Sequence, residues 1–83
     1  AVFRMERPFT MSSARGGAPD DLTLIEGVAP QTEVALHALG VHHFDQIAGW
    51  SAANVAWVNQ YLNLGGRIGR ERWVEQAQAL AAG

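Results

Sequence analysis

An 83-residue chain without cysteine, 48% of it apolar, can build one small core but can neither staple it with disulfides nor hold a metal through thiolates. Its net charge of −2 is unevenly spread: residues 1–19 carry Arg4, Arg7 and Arg15 against Glu6, residues 20–64 carry Asp20, Asp21, Glu26, Glu33 and Asp45 with no Lys or Arg, and Arg67, Arg70 and Arg72 face Glu71 and Glu75 in the tail. The acidic middle is a poor footprint for a polyanion, no apolar run approaches the ~20 residues of a membrane span, and charges stand where a signal peptide would be apolar.

A soluble cytoplasmic chain is therefore expected, with no direct membrane insertion, reaching the cytoplasmic face of the inner membrane only through a partner complex. The initial alanine is what removal of a preceding methionine leaves, which would fit a complete small protein.

Residues 1–19, "AVFRMERPFTMSSARGGAP", hold apolar side chains without a sustained period and finish in a Ser/Ala/Gly/Pro run, the pattern of an extended arm and linker. Val2, Phe3, Met5, Phe9 and Met11 are costly to leave in water and have no evident place in so small a core, so the arm is expected to dock on another subunit. From residue 20 to 83 the pattern is helical. Asp20 or Asp21 can cap a short first helix with Leu22, Leu24 and Ile25 turned inward and Gly27 ending it. Pro30 suits the first turn of a second helix carrying Val34, Leu36 and Leu39, and Gly40 is a natural left-handed stop.

Phe44, Ile47 and Ala48 predict a third short helix ending at Gly49. Ser51 predicts the N-cap of a fourth, whose Val55, Val58 and Leu62 join Trp57 and Tyr61 in a wide apolar face. After the "NLGG" break, a last helix is predicted from about Arg70 to Ala81. The fold class is thus all-α, a small bundle of about five short helices containing a helix-hairpin-helix, with an extended N-terminal arm. Trp57 and Trp73 are expected in the core, while Trp50, beside the turn at Gly49, is expected partly exposed.

The stretches "DDLTLIEGVAP", "HFDQIAGW", "GRI" and "RERWVEQAQAL" make residues 20–83 resemble the helix-hairpin-helix-like C-terminal domain of the E subunit of bacterial respiratory complex I, NADH:quinone oxidoreductase. Similar domains are known at the end of some bacterial ribosomal L21 proteins and as stand-alone small proteins. The family's hairpin usually reads Gly, apolar, Gly, with a basic residue after the proline; here it is Gly27, Val28, Ala29, Pro30 and Gln31. The second glycine matters where a bare amide approaches a phosphate. Ala29 and Gln31 remove that approach and its charge, so the hairpin is expected to act as a scaffold. The four cysteines by which that E subunit holds its iron–sulfur cluster are missing, so no cofactor is expected.

The resemblance implies a non-catalytic accessory or stabilising subunit, an assembly factor of the respiratory chain that binds the peripheral arm of complex I near its NADH-oxidising subunits. Phe3, Arg4, Arg7, Phe9 and Met11, then Arg67, Arg70 and Arg72, are the expected protein contacts. Nucleic acid is not an expected partner, and a helix-hairpin-helix nucleic-acid-binding protein is the alternative. No enzyme is expected: Ser12, Ser13 and Ser51 fall in a linker and a cap, and His37, His42 and His43 do not converge by spacing on a metal.

Overall fold

The backbone chemistry of a few residues sets the helix ends in the computed structural model, which describes residues 4–83. Pro30 opens α1 (Pro30–Leu39), where its missing N–H costs nothing, and Gly40 closes it at φ 110° with its N–H on the Leu36 and His37 carbonyls. α2 (Phe44–Ala48) follows after a short turn. Ser51 caps α3 (Ala52–Tyr61) by accepting from the Asn54 N–H, while Asn54 accepts from the Ser51 N–H. α4 (Arg67–Arg70) and α5 (Trp73–Ala82) complete five α-helices, and no strand occurs among the described residues.

Three details of the helices differ from expectation. The first predicted helix is a 3-10 turn at Leu22–Leu24. At three residues per turn Leu22 and Ile25 share its inner side, so Leu24 is left 57% exposed. Val34 lies about 200° around α1 from Leu36 and faces solvent for the same geometric reason. The last predicted helix is two: α4 ends before Arg72, which takes a left-handed φ of 57°, and α5 starts afresh at Trp73.

α2 packs mainly against α5, α4 bridges α3 and α5, and α1 closes over the 3-10 turn. The core between them is built from Leu22, Ile25, Leu36, Ile47, Val58 and Trp73, all fully buried. The tryptophans exchange their expected places. Trp50 is buried with Trp73, because the turn at Gly49 folds it back onto the core, whereas Trp57 is only half-buried and Tyr61 points outward.

The arm is ordered against the body. The Met11 N–H donates to the Gly40 carbonyl at 2.8 Å, the Glu6 N–H to the Ala53 carbonyl at 3.2 Å, and the Asn54 side-chain amide to the Glu6 carbonyl at 2.9 Å. Gly40 permits this passage, since a Cβ there would stand 2.8 Å from the Met11 carbonyl oxygen. No helix among the described residues is long and apolar enough to cross a membrane.

Candidate functional site

The hairpin Gly27–Pro30 is fixed by the far end of the chain. Gln76, on α5, accepts from the Glu26 N–H at 2.8 Å and returns its side-chain amide to the Glu26 carbonyl at 3.2 Å. The same amide reaches the Glu71 carbonyl at 2.7 Å, which ties the α4–α5 junction to the hairpin. The Val28 N–H is used by the Ile25 carbonyl. Val28 is buried, and Ala29 and Pro30 are exposed. The Val28 amide and the flanking Glu26 amide are thus engaged inside the protein, and Ala29 adds a methyl group where phosphate-binding hairpins keep a bare amide.

The three tail arginines divide. Arg67 donates to the Gly27 carbonyl and pairs with Glu71 at 3.4 Å. Arg70 donates to the Gly65 carbonyl at 2.6 Å, closing the turn before α4. Arg72 is exposed at its left-handed bend. Together with Glu26, Gly27 and Glu71, Arg70 and Arg72 line a cleft of ≈ 400 Å³. Glu71 is its hub: the Trp73 indole N–H donates to it at 2.9 Å, and that bond, reinforced by Arg67 and Arg70, holds its carboxyl below the usual range against the opposing effect of burial.

The arm residues occupy distinct positions. Arg4 is exposed, Phe9 is 74% exposed, and Met11 is half-buried with its carbonyl 3.1 Å from His42 Nε2. Arg7 lies with its guanidinium 5.7 Å from the Trp57 ring centre. Phe3 lies outside the described residues. Behind the arm, His42 and His43 are buried and used structurally. His43 Nε2 accepts from the Arg15 N–H at 2.9 Å, so that nitrogen carries no proton, and its Nδ1 faces Asp20 at 3.4 Å. His37 and His42 stack with their Nδ1 atoms 3.1 Å apart. Among the described residues no three His or carboxylate side chains converge as metal ligands.

Asp20 has a role that the sequence hides. It caps α2 rather than the first turn, accepting from the Phe44 N–H at 2.9 Å. Asp21 does the local work, accepting from the Thr23 N–H. Gln46 was not singled out by sequence either, yet its Oε1 accepts from the His42 and His43 N–H groups and its amide donates to the Gly40 carbonyl. A residue four positions from a turn gives no sequence signal for such a role.

Comparison with known proteins bears on where such a domain works. Residues 22–81 match the family model described as "RS2/RL21/YNQ2 HHH domain". Large ribosomal subunit protein bL21 of Jannaschia sp. (strain CCS1) is 46% identical over 72 residues, 87% of this chain and 28% of that protein. Small ribosomal subunit protein uS2 of Methylobacterium sp. (strain 4-46) is likewise 46% identical over 72 residues, 87% of this chain and 21% of its own length. The chain therefore spans about a quarter of these relatives. A 72-residue match in 83 residues starts no later than position 12, so the likeness takes in part of the segment before Asp20. No solved structure matches the chain.

These relatives overturn the complex I reading: the E-subunit resemblance, the accessory role in the respiratory chain and the peripheral-arm partners all fall. The reason is physical. "HFDQIAGW" and "RERWVEQAQAL" supply Ile47, Trp50, Trp73 and Ala77 to the core where α2 meets α5, so they report the domain and not the assembly that carries it. The exclusion of nucleic acid falls with it, because the relatives belong to a particle of RNA and protein; the alternative of a hairpin-based nucleic-acid binder gains nothing from them. That the chain is not an enzyme agrees with relatives that are ribosomal proteins.

Proposed function

The chain belongs to the RS2/RL21/YNQ2 HHH domain family, and from that membership we propose that it is a non-catalytic ribosome-docking module working in the cytoplasm. The observation that carries the proposal is that the matching relatives are ribosomal proteins of both subunits, one named for the large and one for the small. A domain shared by two otherwise different proteins acts through its own surface. That surface comprises the arm, laid over Gly40 and the start of α3 so that Arg4 and Phe9 face outward, and the exposed Arg72 at the α4–α5 bend. The half-exposed bonds around Glu71 tie the hairpin to the last two helices.

The test is sedimentation of the tagged chain through a sucrose gradient with ribosomal particles from a bacterium that carries it. Co-migration with a subunit or with the whole ribosome that survives a moderate salt wash is the expected outcome. A chain that stays at the top of the gradient at low salt would overturn the proposal.

A further inference from the structure

α3 presents an aromatic face at the margin of the core, where Trp57 is partly packed and Tyr61 is exposed. Trp57 and Tyr61, one helical turn apart, stack with ring centroids 4.8 Å apart and planes inclined by 10°. Tyr61 is 62% exposed, so its ring side away from Trp57 faces solvent. The two rings and Gln60 border a shallow hollow of ≈ 170 Å³.

The arm completes this ledge. Its backbone is fastened to α3 through Glu6, Ala53 and Asn54, and this brings the Arg7 guanidinium over the Trp57 ring. Residues 46–66 contain no charged side chain, and the guanidinium that the structure places on the ledge is that of Arg7, with Glu6 fastened beside it through its backbone. Residues 20–64 carry five carboxylates and no Lys or Arg, so Arg7 is the cation that the arm brings to an otherwise uncharged or acidic stretch of the chain.

Flat aromatic faces, a guanidinium and a side-chain amide are the groups that unpaired RNA bases meet: rings stack, the cation faces the phosphate, and the amide reads a base edge. A protein anchor would ask for a deep socket, and this hollow is shallow and walled by ring faces. We propose that the Arg7–Trp57–Tyr61 ledge holds an unpaired purine nucleotide of ribosomal RNA, its base stacked on Tyr61 and its phosphate turned to Arg7. The proposal rests on the ribosomal reading and names the partner of one part of that surface. With Arg7 as the arginine placed at the ledge, the contact is a single-nucleotide grip and not a tract-binding groove.

Fluorescence anisotropy of the full chain with unstructured A-rich and U-rich RNA nonamers, and with deproteinised ribosomal RNA, tests it. The A-rich RNA should bind more tightly, since a purine offers the larger face. Tyr61→Ala should weaken binding about tenfold while Tyr61→Phe stays within about twofold of the parent. Arg7→Ala should weaken both nonamers alike and lower the salt slope by about 0.7. Circular dichroism checks that each variant keeps its helices. Absence of RNA binding by the parent chain, or equal binding by Tyr61→Ala, would overturn the proposal.

The gradient separates the two claims. If parent and Tyr61→Ala both sediment with ribosomes to the same extent, the ledge is wrong and the ribosomal reading stands. If the parent does not sediment, the ribosomal reading has failed whatever the nonamers show. If Tyr61→Ala leaves the ribosome but the parent binds no deproteinised RNA, the ledge grips a ribosomal protein and the RNA proposal is overturned.

Discussion

Gly27 carries two constraints at once. Its φ of 103° is a conformation that side chains rarely adopt, and a Cβ built on it would stand 2.1 Å from Glu71 Oε1 and 3.1 Å from Trp73 Nε1. The carboxylate end of a glutamate could ordinarily swing away, but this one is held by the Trp73 indole and by Arg67. Gly27→Ala is therefore expected to cost about 2–3 kcal/mol of stability, by urea titration, through backbone strain and disruption of that pairing. Glu71 itself makes stability depend on pH. Its folded-state carboxyl is held below the ordinary range, first by the Trp73 bond, so between the two ranges the unfolded chain binds more protons. Its contribution is complete above the ordinary carboxylate range and is lost as pH falls through its own lowered one. Thermal midpoints of parent and Glu71→Gln should differ at pH 7 and converge on acidification; a gap that stays constant to acid pH would refute the assignment.

Among the elements, α2 tests how a five-residue helix holds its place. It is too short to persist alone, and it depends on Ile47 packing toward α5, on Gln46 bonding the turn behind it, and on Asp20 reaching from 24 residues upstream to the Phe44 N–H. Asp20→Ala should cost about 1 kcal/mol, as losing a cap does, with Asp20→Asn closer to the parent because an acceptor oxygen remains; thermal melts compare them. Where helices end through local chemistry, the sequence was legible: Pro30, Gly40 and Ser51 are where their residue types place them. Where an end depends on distant contacts it was not. Arg72 carries no sign that it will turn left-handed, and α4 is a single turn whose one buried side chain is Ile68. The exchange of Trp50 and Trp57 has the same cause, since periodicity gives a helix face and only packing tells which part of that face is covered. The position of the hairpin was readable from Gly27 and Pro30, but its ties to Gln76 and Arg67 cross more than 35 residues of chain and leave no motif.

For the whole molecule, the arm and the body meet at Gly40, and this meeting can be measured. The arm contributes two backbone hydrogen bonds to the body through Glu6 and Met11, accepts a third from the Asn54 side-chain amide, covers His42 and buries Pro8, while the largest fully buried side chains lie between Leu22 and Trp73. Removing residues 1–14 should leave the helical circular-dichroism signal in place and cost about 2–4 kcal/mol, near 1 kcal/mol for each of the two backbone bonds and the bonds from Asn54 and His42 that are lost. Gly40→Ala should destabilise the full chain for two reasons, the left-handed φ of 110° and the 2.8 Å approach of the new Cβ to the Met11 carbonyl. Only the first survives when the arm is absent. The two changes together should therefore cost less than their separate costs added, by about 1 kcal/mol in a double-mutant cycle. Strict additivity would mean that the arm does not rest on Gly40 in solution. The Arg7 ledge would then lose its support as well, since Arg7 lies between the two fastenings, at Glu6 and Met11, by which the arm is held.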